Sequence, residues 1–194
     1  MKAEKRSASF SGEQARSPTE TKMTRRRCTG TIKGVMNMKL IPSFTVDHTK
    51  LKPGVYVSRI DTVGAETITT YDIRMKKPNI EPCLNLPGAH TLEHIVATFL
   101  RNDEEWKDRI IYWGPMGCLT GFYLIIKGSY ECEEIGKLMI RAFEFAADFT
   151  GEIPGTKAEE CGNYLLHNLA VAKYEAKKYA GILKTEPCYE YPAN

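Results

Sequence analysis

The segment His90-Thr91-Leu92-Glu93-His94 constrains the fold of this chain more than any other stretch of its sequence. In an α-helix, which advances about 100° per residue, His90, Glu93 and His94 lie on one face. The opposite face is apolar and consists of Leu92, Ile95, Val96 and Phe99. The sequence therefore predicts a helix over His90–Asn102 that packs on a hydrophobic core with one side and presents polar chemistry on the other.

Two imidazoles one helical turn apart are spaced to chelate a single divalent metal ion. Glu93 lies beside them on the same face, where a carboxylate exchanges protons with a group at the metal's open position. The pattern H-x-x-E-H is that of the inverted zincins. In the alternative interpretation, His90 and His94 are surface residues of an ordinary amphipathic helix. The metal site is favoured because these are two of only four histidines in the chain.

Two histidines leave a catalytic metal one protein ligand short. Cys161, in the segment Glu159-Glu160-Cys161-Gly162, is the candidate for the third ligand, and His167 competes with it. A thiolate would complete a His₂Cys set and leave one position open for water or substrate. Cys118 follows a Gly-Pro-Met-Gly turn between two apolar strands, where a cysteine is more often a small buried hydrophobe than a nucleophile or base.

Apolar periodicity predicts an α+β fold in which an antiparallel β-sheet packs against helices. Two β-rich segments, Val55–Val63 and Glu66–Met75, flank Gly64-Ala65 and form a hairpin. The segment Lys76–Gly88 contains three prolines and is predicted to be a loop. The other predicted elements are the helix His90–Asn102, strands Ile110–Trp113 and Leu119–Lys127, the helix Cys132–Phe149, and a last helix Lys157–Tyr179 with the apolar stripe Leu165, Leu169, Ala172, Ala176 and Tyr179.

The net charge of the chain changes sign near residue 38, from a basic N-terminal part to a mildly acidic remainder. Residues 1–37 contain nine lysines and arginines against three acidic residues, which leaves 18 basic and 21 acidic residues in 38–194. The tail is too polar to bury a core, so we predict a disordered basic extension over 1–37, with Met38 as an alternative start of the protein. Residues 38–194 are predicted to form a single domain. Its mildly acidic balance argues against a nucleic-acid partner.

The composition favours a cytoplasmic protein without membrane association. No apolar run approaches the roughly 18 residues of a membrane span, and the charged N-terminus has no apolar signal-peptide segment. Six scattered cysteines in a chain long enough to bury a core favour free thiols over a disulfide scaffold. Free thiols are in turn typical of a reducing compartment.

Five segments of the chain occur together in a distinctive order: Ser43–His48, Tyr71–Arg74, His90–His94, Gly114–Tyr123 and Glu160–Gly162. The combination strongly resembles the S-ribosylhomocysteine lyases, the LuxS family. The resemblance runs from about Ile41 to about Leu183, which is nearly the whole predicted domain. Two positions depart from the family: Leu119 replaces a common Arg or Gln, and Tyr112 replaces a common Asp.

The resemblance implies a role for each residue that matches the family's motifs. The implied ligands of one divalent metal per subunit, Fe(II) in the cell with Zn(II) or Co(II) as substitutes, are His90, His94 and Cys161. The implied acid/base residues are Glu93 and Cys118, and the implied substrate contacts are Ser43, His48 and Arg74. The family is a homodimer whose active sites lie at the subunit interface.

The reaction implied by the resemblance cleaves S-ribosylhomocysteine to homocysteine and 4,5-dihydroxy-2,3-pentanedione. The second product is the precursor of the quorum-sensing signal autoinducer-2, and the first is recycled in the activated methyl cycle. Metal-assisted isomerisations move a carbonyl along the ribose before β-elimination expels the thiolate. Two proton carriers are needed, and we expect Cys118 to act as a thiolate favoured by Arg74.

Two other functions are compatible with parts of the pattern. An inverted-zincin metallopeptidase would need a glutamate as third ligand and would leave Cys118 without a role. A structural His/Cys metal module that mediates binding would close its metal with four protein ligands and no open position.

Overall fold

A computed structural model describes residues 46–192. The predicted tail 1–37 and the candidate residue Ser43 lie outside these described residues. The elements in chain order are β1 (Gly54–Val63), β2 (Glu66–Arg74), α1 (Leu86–Asn102), β3 (Ile110–Pro115), β4 (Gly121–Lys127), α2 (Cys132–Asp148) and α3 (Leu169–Thr185). The predicted α+β fold with an antiparallel sheet is confirmed.

Within the described residues, the four strands form one sheet in the order β1-β2-β4-β3. β1 and β2 form the predicted hairpin, and Gly64 at its turn has a φ of 63°, a left-handed conformation that favours glycine. In the pairing of β2 with β4, Arg74 lies opposite Gly121. The end of β2 therefore lies beside the β3–β4 turn that carries Cys118.

The two faces of the sheet have different neighbours. Tyr71, Ile73 and Phe122 point into the hydrophobic core, which includes the apolar residues of the three helices. Because side chains alternate along a strand, the residues between them point to the opposite side, which we call the outer face. The outer face carries Tyr56, Asp72, Arg74 and Tyr123.

α1 begins at Leu86, four residues before the predicted start at His90. The Oδ1 atom of Asn85 accepts a hydrogen bond from the backbone N of Gly88 at 2.8 Å, which caps the helix. Pro87 lies in the first turn, where its missing N–H leaves no bond unmade. The predicted loop over residues 76–88 is therefore wrong for its last three residues. The extra turn lies before His90, so it does not change which residues of the helix share a face.

α3 begins at Leu169, so the prediction of a helix over Lys157–Tyr179 is wrong for its first twelve residues. Leu165, which was assigned to the apolar stripe, is 79% exposed. Asn168 starts the helix instead, since its side chain accepts a hydrogen bond from Val171 N at 3.0 Å. The segment before it is irregular, and this irregular segment carries Cys161.

α2 spans Cys132–Asp148 and ends one residue before the predicted end. It packs with α3 and α1 on the core side of the sheet. Among the helices of residues 46–192, none has the length and apolar character needed to cross a membrane.

Candidate active site

Four side chains with metal-binding atoms converge next to α1. They are His90, His94, Cys161 and His167, which we call the metal cluster, and their ligand atoms all lie within 4.8 Å of one another. His90 and His94 come from consecutive turns of α1, whereas Cys161 and His167 come from the irregular segment before α3. The structure thus brings together the three predicted ligands and the competing candidate.

The protonation of the two helical imidazoles is fixed by their partners. His90 Nδ1 lies 2.8 Å from the carbonyl oxygen of Leu166, and His94 Nδ1 lies 2.7 Å from that of Pro154. A carbonyl oxygen only accepts hydrogen bonds, so Nδ1 carries the proton in both rings. In the neutral form of each ring the lone pair is therefore on Nε2, the tautomer that a histidine binding a metal through Nε2 requires.

His167 is held in the same tautomer through the hydroxyl of Thr91. Thr91 Oγ1 donates its only proton to the carbonyl oxygen of Pro87 at 2.8 Å. It must then act as acceptor for Asn168 N at 2.9 Å and for His167 Nδ1 at 3.2 Å. His167 Nε2 consequently bears a lone pair, and this buried atom has no hydrogen-bond partner in the described structure.

The donor set of the metal cluster fits a divalent transition metal. Imidazole nitrogens and a thiolate suit Zn(II), Fe(II) and Co(II), whereas Mg(II) and Ca(II) prefer oxygen. Burial and the neighbouring imidazoles of His90 and His94 lower the pKa of His167, so this ring is neutral at physiological pH. A buried lone pair without a proton donor calls for a cation or a ligand group nearby.

Glu93, the first predicted acid/base residue, lies on α1 next to His94 and is half-buried. It shares the predicted helix face with His90 and His94 but is not one of the four residues whose ligand atoms converge. A carboxylate in this position is adjacent to the metal cluster without being part of it.

Cys118, the second predicted acid/base residue, has a polar rather than an apolar environment. Its Sγ lies 3.9 Å from Arg74 Nη1 and 3.1 Å from Thr120 Oγ1. Thr120 Oγ1 also accepts a hydrogen bond from Arg74, so its own proton is free for the sulfur. Partial burial acts to raise the pKa of Cys118, but the bonds from Thr120 and the charge of Arg74 outweigh it and lower the pKa.

Arg74 is in turn fixed by Asp72 on the outer face of the sheet. Arg74 Nε and Nη2 donate to the two carboxylate oxygens of Asp72 at 3.1 and 2.5 Å. Both side chains are buried, with 4% and 3% exposure. Burial alone would lower the pKa of Arg74, but the charge of Asp72 outweighs it and raises that pKa. We call Cys118, Thr120, Arg74 and Asp72 the thiol cluster.

His48, a predicted substrate contact, lies beside the thiol cluster. A cavity of about 360 Å³ is lined by both His48 and Cys118. His48 Nδ1 lies 2.9 Å from the carbonyl oxygen of Val46, to which it donates a hydrogen bond. The described structure therefore groups two predicted substrate contacts, His48 and Arg74, with the predicted catalytic thiol.

Comparison with known proteins bears directly on these residues. Residues 41–186 match the family described as S-Ribosylhomocysteinase (LuxS). The chain belongs to the LuxS family. A relative named S-ribosylhomocysteine lyase from Phocaeicola vulgatus is 59% identical over 142 residues, which cover 73% of this chain and 88% of the relative.

Two other relatives carry the same name. The protein from Porphyromonas gingivalis is 58% identical over 142 residues, which cover 73% of this chain and 89% of the relative. The protein from Borreliella burgdorferi is 54% identical over 157 residues, which cover 80% of this chain and 100% of the relative. The resemblance to LuxS found in the sequence is thus confirmed. The metallopeptidase alternative gains no support, since the metal cluster contains a cysteine where that class needs a glutamate.

Several residues of this LuxS site were missed in the sequence. Asp72 lies two positions before Arg74 on β2, and alternation along a strand puts such a pair on one side of the sheet, so this pattern points to Asp72. Thr120 follows Cys118 in a turn where Leu119 has a left-handed φ of 55°, and no such alternation points to it. Thr91, which lies inside the H-x-x-E-H motif, could not be found this way, because its partners His167 and Asn168 are distant in sequence.

Proposed function

We propose that this LuxS chain cleaves S-ribosylhomocysteine to homocysteine and 4,5-dihydroxy-2,3-pentanedione. The observation that carries the proposal is the family match over residues 41–186, the region that contains every described candidate residue. The convergence of His90, His94 and Cys161 in one cluster supports it independently, because carbon–sulfur lyase chemistry on a sugar needs a centre that stabilises negative charge.

The reaction poses a problem of proton transfer. The thiolate leaves by β-elimination, which needs an acidic proton on the carbon adjacent to the one that bears sulfur. That carbon becomes acidic only after a carbonyl has moved along the sugar to its other side, so protons must be removed and returned at several carbons before elimination. We assign these transfers to Glu93 and Cys118, two groups on different elements. The bonds from Thr120 and the charge of Arg74 outweigh partial burial and lower the pKa of Cys118, which favours its use as a base.

The metal cluster supplies the other half of the chemistry. We assign His90, His94 and Cys161 as the ligands, because three protein ligands leave the open position that a catalytic metal needs. A divalent ion held there would act as a Lewis acid for substrate oxygens. His167 is then a neighbour of the ligand set, whose Nε2 lone pair is free to accept a hydrogen bond from substrate.

The remaining properties follow from the same assignment. We propose Fe(II) as the metal in the cell, with Zn(II) or Co(II) as substitutes, since all three accept nitrogen and thiolate ligands. We also propose a homodimer with active sites at the subunit interface. A cytoplasmic location is supported by the cysteines of the described region, all five of which are free. The product would serve as precursor of autoinducer-2.

The proposed roles of the cysteines are tested by two substitutions. Cys161→Ala should lose both the metal and turnover, because a ligand is removed. Cys118→Ala should keep about one metal per subunit and lose at least about a hundredfold in kcat, because a proton carrier is removed. Metal content is measured on purified protein, and turnover by release of free thiol from S-ribosylhomocysteine with a chromogenic disulfide.

Cys132→Ala provides the matched control, since Cys132 is a buried cysteine on α2 outside both clusters. It should retain metal and turnover. If Cys118→Ala abolished metal binding while Cys161→Ala retained it, the two roles would have to be exchanged. A wild-type protein that holds metal but releases no thiol from S-ribosylhomocysteine would contradict the proposed function itself.

A further inference from the structure

The C-terminal segment after α3 lies against the outer face of the sheet. Val55 N donates a hydrogen bond to the carbonyl oxygen of Cys188 at 2.9 Å. A Cβ atom at Gly54 would lie 2.1 Å from that same oxygen, so the contact requires glycine at this position of β1. The segment is therefore packed closely on β1. It also lies beyond residues 41–186, the region matched to the LuxS family.

Tyr191 is the residue of this segment that reaches the thiol cluster. Its ring stacks on Tyr56 of the outer face, with ring centroids 4.7 Å apart and planes inclined by 7°. Its hydroxyl donates a hydrogen bond to Asp72 Oδ2 at 3.1 Å. Together with His48 and Arg74, Tyr191 and Asp72 line a cavity of only about 20 Å³, so little water reaches the carboxylate.

These contacts form a continuous path from the C-terminal segment to the sulfur of Cys118. Tyr191 donates to Asp72, the two oxygens of Asp72 accept from Nε and Nη2 of Arg74, and Arg74 Nη1 faces Thr120 and the sulfur. A guanidinium is planar, so two bonds to one carboxylate fix the direction of the third nitrogen. The orientation of Asp72 therefore decides where the charge of Arg74 lies.

We propose that Tyr191 is a positioning residue for Cys118, acting through Asp72 and Arg74. The hydroxyl of Tyr191 holds the Asp72 carboxylate and its stacked ring keeps water away from the ion pair. Arg74 is thereby kept beside the sulfur in the arrangement that favours the thiolate. The inference rests on the proposed role of Cys118 as a proton carrier, but the predicted property belongs to the thiol and is measurable without turnover.

The direction of the effect follows from charge compensation. Burial raises the pKa of Asp72, while the bonds from Arg74 and Tyr191 act against this and stabilise the carboxylate. Without the Tyr191 hydroxyl, the carboxylate charge is compensated mainly by Arg74, with a smaller contribution from His48, and the guanidinium is less firmly oriented. Both changes weaken the positive potential at Cys118, so the pKa of the thiol rises.

Other titratable groups lie near the two sites. The titratable side chains that line the larger cavity with Cys118 are His48, Glu81 and Cys83. The titratable side chains close enough to Asp72 to interact with its charge are His48, Tyr56, Arg74, Tyr123, Tyr179 and Tyr191. Tyr191 also interacts directly with Arg74 and Tyr56, so the route through Asp72 is tested separately by the Asp72→Asn background described below.

The test is the variant Tyr191→Phe, which removes the hydroxyl and keeps the stacked ring. The rate of Cys118 alkylation by iodoacetamide is followed as a function of pH in the holoenzyme, with the modified peptide quantified by mass spectrometry. We expect the midpoint of this pH profile to rise by about half a pH unit to one pH unit. A rise of that size corresponds to about three- to tenfold less thiolate at neutral pH. The variant Tyr189→Phe removes a hydroxyl that lies against Gly136 of α2 and should leave the midpoint unchanged.

A second comparison separates positioning from a general structural role. In an Asp72→Asn background the carboxylate is gone, so Tyr191→Phe should produce no additional shift of the Cys118 midpoint. A chain that ends at Glu190 should shift the midpoint at least as far as Tyr191→Phe does. Thermal unfolding of each variant verifies that the alkylated protein is folded.

Coinciding pH profiles for Tyr191→Phe and wild type would overturn the proposal, as would an equal shift in Tyr189→Phe. An undiminished shift in the Asp72→Asn background would also overturn it, because Tyr191 would then act by another route. The proposed function fails separately, through absent thiol release by the wild type. A shifted alkylation midpoint in a protein without lyase activity would leave the role of Tyr191 intact.

Discussion

The three imidazoles of the metal cluster owe their tautomer to hydrogen bonds with the groups around them. His90 and His94 donate from Nδ1 to carbonyl oxygens, and His167 donates to the hydroxyl of Thr91. Each bond leaves the Nε2 lone pair exposed to the same small volume. At the scale of single residues, the fold thus presents three nitrogens in the tautomer that could bind a metal.

The difference between a ligand and its neighbour is measurable at His167. Replacing His167 with alanine should lower the metal affinity by about ten- to a hundredfold, the usual cost of losing a group that surrounds a ligand set. His90→Ala should abolish stoichiometric binding, because it removes a ligand. Affinity is measured by competition with a chromophoric chelator in protein loaded with Co(II).

The Co(II) spectrum supplies the criterion that decides between the two roles. In His167→Ala the visible bands should keep their positions, because the ligand atoms are unchanged. Bands that move as they would on loss of a nitrogen ligand would make His167 a fourth ligand. The resting site would then be closed, as in the structural metal module considered above.

At the scale of elements, the segment between α2 and α3 depends on the site it builds. Residues 151–168 contain neither helix nor strand, and much of their surface is exposed. The bonds from His94 to Pro154 and from His90 to Leu166 attach the segment to α1. A metal held by Cys161 and both histidines, as proposed, would add a third attachment.

Removal of the metal should therefore loosen this segment before the rest of the domain. We expect trypsin to cut after the exposed Lys157 at least about tenfold faster in chelator-treated protein than in holoenzyme, because local opening no longer breaks metal bonds. Cleavage after Lys137, which is exposed on α2, should change far less. Mass spectrometry of the new termini measures both rates. Equal cleavage at Lys157 with and without metal would show that protein contacts alone hold the segment.

The same segment marks the limit of what the sequence could predict about the elements. The faces of α1 and the β1–β2 hairpin are predictable from the spacing of apolar residues, because each element buries one side on the core. The start of α3 did not, because Leu165 and Leu169 continue a helical spacing although Leu165 is exposed. The cap at Asn168 and the bonds to Thr91 override that spacing. Contacts between distant residues decide such cases, and a local pattern does not contain them.

At the scale of the molecule, the two clusters lie on different elements. The metal cluster is built on the side of α1 that faces away from the core. The thiol cluster is built around Arg74 and Asp72 on the outer face of the sheet. Both elements pack against the same hydrophobic core, one on either side of it. In the proposed homodimer, we expect the metal cluster of one subunit to meet the thiol cluster of its partner at a shared interface.

Subunit complementation tests this arrangement. Glu93→Gln and Cys118→Ala should each be inactive as homodimers, because each lacks one proton carrier in both sites. When the two variants are co-expressed with different tags, the heterodimer contains one site with both defects and one with neither, provided that Glu93 and Cys118 of a site come from different subunits. Random pairing should restore about one quarter of wild-type thiol release. The purified heterodimer alone should reach about one half of wild-type thiol release. The matched control is the doubly substituted chain paired with wild type.

Activity that stays at the level of the single variants would place both proton carriers of each site on one subunit. The interface would then enclose the site without contributing a proton carrier to it.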